Sequence, residues 1–201
     1  MPKKYKSSKF YILLKKFTLS GKMMIKGVNK MKVLSRQKNS RNCIICGMEN
    51  EIGLKAPFYN MEDDTVASVF EFLPEHQSYP SRTHGGMISA LLDELMGRAL
   101  WLNEPETYGV TTTMTVTFRR PVPYGEKIKA RGYITHNSQR WFSAQGEIYS
   151  ADGKLLAEAT ARYMKLEPSK AFDDLGHADE EMCYDLPCDI NEIDFPELKR
   201  I

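Results

Sequence analysis

One stretch constrains this chain more than any other: His84-Gly85-Gly86-Met87-Ile88-Ser89-Ala90-Leu91-Leu92-Asp93-Glu94-Leu95-Met96-Gly97-Arg98-Ala99-Leu100-Trp101. It reads as one long helix, apolar around most of its circumference, and such a helix belongs inside a protein. Asp93 stands in its middle. A buried, unpaired carboxylate is strongly destabilising, so this acid needs either partners or a chemical role. At about 100° per residue, Gly86, Ser89, Ala90, Asp93 and Gly97 share one flank. Small neighbours there let another backbone or a ligand approach the acid. Glu94 is different: Arg98 follows it by four residues, the favourable order for an intrahelical ion pair. At the helix mouth, His84-Gly85-Gly86 leaves the first amides free and lets a ligand come close, where the macrodipole favours negative charge. Free amides and a buried acid suit the hydrolysis of an acyl compound, as donors for an oxyanion and as a base or nucleophile.

Length bounds what surrounds this helix. A chain of 201 residues suggests one domain with appendages. The formal net charge of +2 conceals an asymmetry: residues 1–41 hold thirteen Lys/Arg and no Asp/Glu, so the remainder carries 15 basic against 26 acidic side chains. An acidic body argues against nucleic acid as the partner of the main domain. The basic arm could meet nucleic acid or anionic lipid. It lacks a sustained period, however, and is expected to be an unfolded extension. Three parts result: the arm 1–41, a domain over 42–167, and an acidic, proline-interrupted tail over 168–201 that is expected to pack loosely. No apolar run approaches the ~20 residues of a membrane span. Four cysteines at this length are no disulfide framework. The expectation is a cytoplasmic protein with reduced thiols, no membrane partner and no cofactor. Cys43-Ile44-Ile45-Cys46-Gly47 resembles half of a zinc knuckle. A tetrahedral site wants four ligands, and Cys183 and Cys188 are remote in sequence, so a tight turn with free thiols and no metal is expected.

Alternating segments flank the helix. Residues 54–60 and 65–73 read as two strands before it, with Glu62-Asp63-Asp64 as the turn. Asn103-Glu104-Pro105-Glu106 stops the helix. Four strands follow, over 109–120, 126–137, 140–150 and 154–167, and their short connections predict antiparallel neighbours. Ala151-Asp152-Gly153 is a strong hairpin signal. Small residues share one face of three of these strands: Ala130 and Gly132, Ala144 and Gly146, then Ala157, Ala159 and Ala161. A thick helix could nest in such a face. In the strand over 109–120, Val110, Thr112, Met114, Val116 and Phe118 alternate with Thr111, Thr113, Thr115, Thr117 and Arg119. The threonine ladder reads as a half-exposed face or as the lining of a site.

An antiparallel curved sheet wrapped around one long central helix, in the order β-β-α-β-β-β-β, resembles the hotdog fold, an α+β architecture. The motifs are closer still. His84-Gly85-Gly86 with Asp93 nine residues after the histidine is similar to the motif of the PaaI-type acyl-CoA thioesterases. Gly109-Val110-Thr111, Phe118-Arg119-Arg120-Pro121 with Gly125, Asp152-Gly153-Lys154-Leu155-Leu156-Ala157 and the Cys-x-x-Cys-Gly stretch agree with it. The resemblance covers roughly residues 42–167. It implies an acyl-CoA substrate hydrolysed to free acid and CoA, and a dimer or dimer of dimers in which helices and sheets join. It implies Asp93 as general base or nucleophile, the Gly85 amide as carbonyl polariser, and Thr111 as a positioner of water. His84 and Gly86 complete the motif. The family often has Asn where this chain has Ser78, and Gln77 could supply that polar contact. Arg119 and Arg120 could meet the nucleotide phosphates. A non-catalytic acyl-CoA-binding or regulatory module is the alternative, and a hydratase on the same fold a more distant one.

Overall fold

The computed structural model describes residues 28–105, 107–167 and 183–198. Its central helix, α1 (Gly85–Arg98), buries Ile88, Leu91, Leu92, Leu95, Met96 and Arg98. His84 caps it, its Nδ1 accepting from the Gly86 amide at 2.9 Å. The helix ends three residues before Trp101, the far end of the apolar stretch. After Arg98 the chain tightens into a 3-10 turn over Ala99–Leu102, a frequent way for a helix to close.

The strands are β1 (Val28–Arg36), β2 (Tyr59–Met61), β3 (Val66–Glu71), β4 (Tyr108–Phe118), β5 (Lys127–Asn137), β6 (Trp141–Ser150), β7 (Leu155–Leu166) and β8 (Glu192–Pro196). They form one antiparallel sheet in the order β4-β7-β6-β5-β3-β2-β1-β8. The hairpins β5–β6 and β6–β7 are where the turn signals put them. Gly153 adopts a φ of 80° in the second, a conformation that favours glycine.

The small-residue face does what its alternation predicts. Gly132 pairs with Gly146, and Gly146 with Ala159, across three strands. A Cβ on Gly132 would lie 3.0 Å from Leu95, and one on Gly146 3.0 Å from Met96 and 3.1 Å from Leu92. The helix backbone therefore rests where larger side chains would hold it off, and the main core forms around Leu91, Leu92, Leu95, Phe142 and Ile148.

Three expectations need correction. First, β4 is not a neighbour of β5 but pairs with β7 at the sheet edge. An extended connector of the eight residues 119–126 can reach about 26 Å, more than the ~14 Å of three strand spacings. Pro121 and Pro123 keep it out of any ladder. Second, residues 54–58 do not join the β2 ladder. Their amides turn to the cysteine loop instead, Leu54 to the Ile44 carbonyl and Ala56 to that of Ile45, both at 2.9 Å.

Third, the flanks are not all loose. Residues 28–36 of the basic arm and 192–196 of the acidic tail pair with each other as β1 and β8, antiparallel. Val33, Ile193 and Phe195 then bury a second cluster with Tyr59, Met61, Ala67 and Tyr149 on the other face of the sheet. Opposite charges line the seam: Lys30 meets Glu192 at 2.6 Å, and Lys129 of β5 meets Asp194 at 3.0 Å. The exposed Lys30–Glu192 pair adds little stability, whereas the Lys129 side chain is buried. Both pairs fix which strand finds which. Residues 1–27 of the arm and residues 168–182 and 199–201 of the tail lie outside the described residues. No helix among the described residues is long and apolar enough to cross a membrane.

Candidate active site

Asp93 projects from the middle of α1 into the wall of a cavity of about 230 Å³. The acid is half-buried. Its Oδ1 accepts from Thr111 Oγ1 at 2.8 Å and from the Tyr163 hydroxyl at 3.0 Å. Tyr163 is 1% exposed and stacks on Phe142 at 4.6 Å. Burial, followed by the Asp93 charge beside it, pushes its phenol well above the ordinary tyrosine range. It is thus a permanent donor. Two hydroxyls hold one carboxylate oxygen, and among the described residues none holds Oδ2.

Thr111 reaches Asp93 because of a local irregularity. Thr111 pairs with Tyr163 and Thr113 with Arg162, so Thr112 is the extra residue of a β-bulge. Without it, Thr111 would share the outer face with Thr113, Thr115 and Thr117. The bulge reverses the alternation, turning Thr111 toward the helix and leaving Val110 48% exposed. The expectation that Val110 and Met114 share a face is therefore wrong, and that reversal assembles the site.

The mouth of α1 is a separate place. Gly85 lines a second cleft with Phe118, Arg119 and Arg120. Eight residues of helix, or about 12 Å, separate Gly85 from Asp93. The Gly86 amide is taken by His84, which leaves Gly85 as the free amide: it donates to no atom of the described residues. Arg119 is paired with Glu158, and Arg120 donates to the Leu155 carbonyl at 2.6 Å. Gln77 and Ser78 are exposed in the loop before α1. Gln77 Oε1 accepts from Tyr124 at 3.3 Å, and the Ser78 amide donates to the Arg82 carbonyl at 2.8 Å. One chain thus brings Asp93 and Thr111 together but keeps them apart from Gly85, His84, Gly86, Gln77, Ser78, Arg119 and Arg120.

Several lining residues escaped the sequence reading. Tyr163 continues the inward series Ala157, Ala159, Ala161 by one step, and that period was the available signal; Leu155 falls on the other face of the sheet. Cys43, Cys46, Glu94 and Arg98 share the cavity wall with Asp93. The buried Cys46 thiol donates to Cys43. That bond holds the Cys43 thiol below the usual range and raises Cys46 itself. Arg98 is 2% exposed. It donates to Glu94 Oε1 at 2.7 Å, to the Lys38 carbonyl at 3.0 Å and to Gln37 Oε1 at 3.2 Å. The face of Phe58 lies 4.3 Å from it. No local pattern links Arg98 to residues 37, 38 and 58.

Known proteins resemble parts of this chain. A thioesterase superfamily model matches residues 81–157. Acyl-coenzyme A thioesterase THEM4 of Rattus norvegicus is 26% identical over 125 residues, 61% of this chain and 53% of that one. The protein of the same name from Xenopus laevis is 29% identical over 147 residues, 72% of this chain and 63% of that one. The chain thus spans little more than half the length of these relatives. Among solved structures, a thioesterase superfamily protein superposes with a TM-score of 0.57 at 24% identity, covering 62% of this chain and 60% of that one. The Escherichia coli PaaI protein does so with 0.51 at 18% identity, covering 56% and 80%. The chain has the hotdog fold, and its residues 81–157 match the model of the thioesterase superfamily.

Proposed function

We propose that the protein hydrolyses an acyl-CoA thioester, with Asp93 as base or nucleophile and the Gly85 amide as carbonyl polariser. The observation that carries the reading is the Asp93 carboxylate: one oxygen is fixed by Thr111 and Tyr163 and the other faces a cavity. As a base, it takes a proton from water while that water adds to the thioester carbon. The resulting oxyanion is met by an amide at the positive end of α1. Collapse expels the CoA thiolate, a good leaving group near neutral pH, so no triad is needed.

A single chain cannot present both groups to one carbonyl across about 12 Å, so the reading requires two chains. The edge strand β4 supplies the means. At one end, Thr111 touches Asp93. At the other, the Phe118 ring lies within 3.3 Å of the Cβ position on Gly85. Antiparallel two-fold pairing of β4 with its copy, centred between Met114 and Thr115, sets Thr111 opposite Phe118 of the partner subunit. Asp93 then faces Gly85 of the partner subunit. Pairing also covers an edge on which Val110 and Phe118 are 48% and 53% exposed, a liability in a monomer. Arg119 and Arg120 flank Gly85 and are the groups for the CoA phosphates, at the cost of exchanging the Glu158 and Leu155 contacts.

The test is thiol release from a panel of short, long and aromatic acyl-CoAs, with Asp93→Asn as the blank. Hydrolysis by the native chain and its near-complete loss in a folded Asp93→Asn protein is the expected result. A folded variant that remains active removes Asp93 from the mechanism. Saturable acyl-CoA binding without thiol release by the native chain replaces it with the binding-module reading.

A further inference from the structure

We propose that Cys43, Cys46 and Glu94 form a zinc site whose fourth position opens into the Asp93 cavity. From the sequence, the Cys-x-x-Cys turn lacks its remaining ligands and Glu94 is spoken for by Arg98. The fold changes both statements. It lays the turn against the middle of α1, and Arg98 occupies only Oε1 of Glu94. Oε2 faces Cys43 Sγ at 4.0 Å. One donor atom from each of the three residues falls within 4.8 Å of the others.

That spacing is long for a thiol hydrogen bond and close to what a shared metal needs. Zn–S near 2.3 Å and Zn–O near 2.0 Å at a tetrahedral angle put sulfur and oxygen about 3.6 Å apart. Cys43 and Glu94 need to close by about half an ångström, and no pair of the three donor atoms starts more than 4.8 Å apart. Polar groups also converge on both sulfurs. The amides of Ile45 and Cys46 converge on Cys43 Sγ at 3.3 and 3.4 Å, and the fully buried Ser40 hydroxyl lies 3.1 Å from Cys46 Sγ. Gly47 closes the turn, its amide on the Cys43 carbonyl at 2.8 Å. A Cβ there would sit 2.4 Å from that oxygen. Charge balances as well. Two thiolates and a carboxylate are offset by a divalent cation and by the buried Arg98 guanidinium, which lies beside Cys46. Its Nη2 is buried without a hydrogen-bond partner among the described residues. Two soft sulfurs with one oxygen select zinc over magnesium or calcium. The ion would pin the loop of residues 40–47 to α1 one residue from Asp93, whether or not the cavity hydrolyses thioesters.

The native chain, reduced and stripped with a chelator, is titrated with zinc and then alkylated, and the modified cysteines are mapped by mass. One zinc per chain is expected, with Cys43 and Cys46 protected and Cys183 and Cys188 labelled at their zinc-free rate. Cobalt in place of zinc should show thiolate-to-metal charge-transfer absorption. A Cys183→Ser/Cys188→Ser chain should bind zinc as the native one does, and Glu94→Gln should bind it at least tenfold more weakly. Absence of zinc binding by the reduced native chain overturns the proposal. So does protection that falls on Cys183 and Cys188, a Cys43–Cys46 disulfide that persists in reducing buffer, or unchanged affinity in Glu94→Gln.

Discussion

A mixing experiment tests whether Asp93 and Gly85 serve one site from two chains. Gly85→Pro removes the amide that the proposal needs and little else. Proline is at home in the first position of a helix, and His84 already has the ψ of 134° that a residue preceding proline requires. The Gly85 amide holds no acceptor among the described residues, so no helix bond is lost. The added carbons press on Phe118, 3.3 Å from the Cβ position, whose ring is half exposed and free to yield. Loss of one oxyanion donor lowers kcat roughly 10²- to 10³-fold, and Asp93→Asn abolishes turnover by another route. Each variant alone is therefore close to inactive. In a mixed dimer, the intact Asp93 of the Gly85→Pro chain faces the intact Gly85 of the Asp93→Asn chain. One site of two is then native. Random exchange of subunits makes about half the dimers mixed, so activity should return to about a quarter of the native value per site. The assay is thiol release after the two proteins are mixed, unfolded and refolded together, with each alone as control. Recovery to no more than the sum of the two controls, in a preparation shown to contain mixed dimers, refutes the two-chain site.

Other consequences follow from the packing. Tyr163→Phe and Thr111→Ala each remove one hydroxyl from Asp93, and each should lower kcat about tenfold or more with KM little changed; unaltered kinetics in both would show that Asp93 needs no such orientation. Gly146→Ala drives a Cβ to 3.0 Å from Met96 and should cost roughly 1–3 kcal/mol by urea unfolding; an unchanged midpoint would mean that the helix does not rest on that face. Phe195→Ala empties a position 1% exposed and should cost about 3–5 kcal/mol; a loss near zero in the same experiment would detach β8 from the domain.

The helix and the bed it lies in can be read from residue order alone. Apolar periodicity with a lone acid needs no partner to be read, and the glycines and alanines of β5, β6 and β7 declare their face because side chains alternate strictly along a strand. Asp93 and Gly85 stand out as candidates from local pattern, a helix flank and a helix mouth, whereas Thr111 entered through the resemblance, because the threonine ladder alone points it outward. Tertiary structure decided the rest. The bulge at Thr112 reverses the direction of Thr111, and no alternation rule foretells where one extra residue will be tolerated. The order that sets β4 beside β7 depends on how far an extended connector reaches, which local signals do not measure. Val33 and Phe195, more than 150 residues apart, form a core only because the basic arm and the acidic tail meet. Their opposite charges, which looked like two separate loose ends, are two sides of one seam. Glu94 shows the same limit at a single side chain. Its intrahelical pair with Arg98 is written in the spacing, whereas the thiol facing its other oxygen arrives from fifty-one residues away, brought there by the packing of the whole fold.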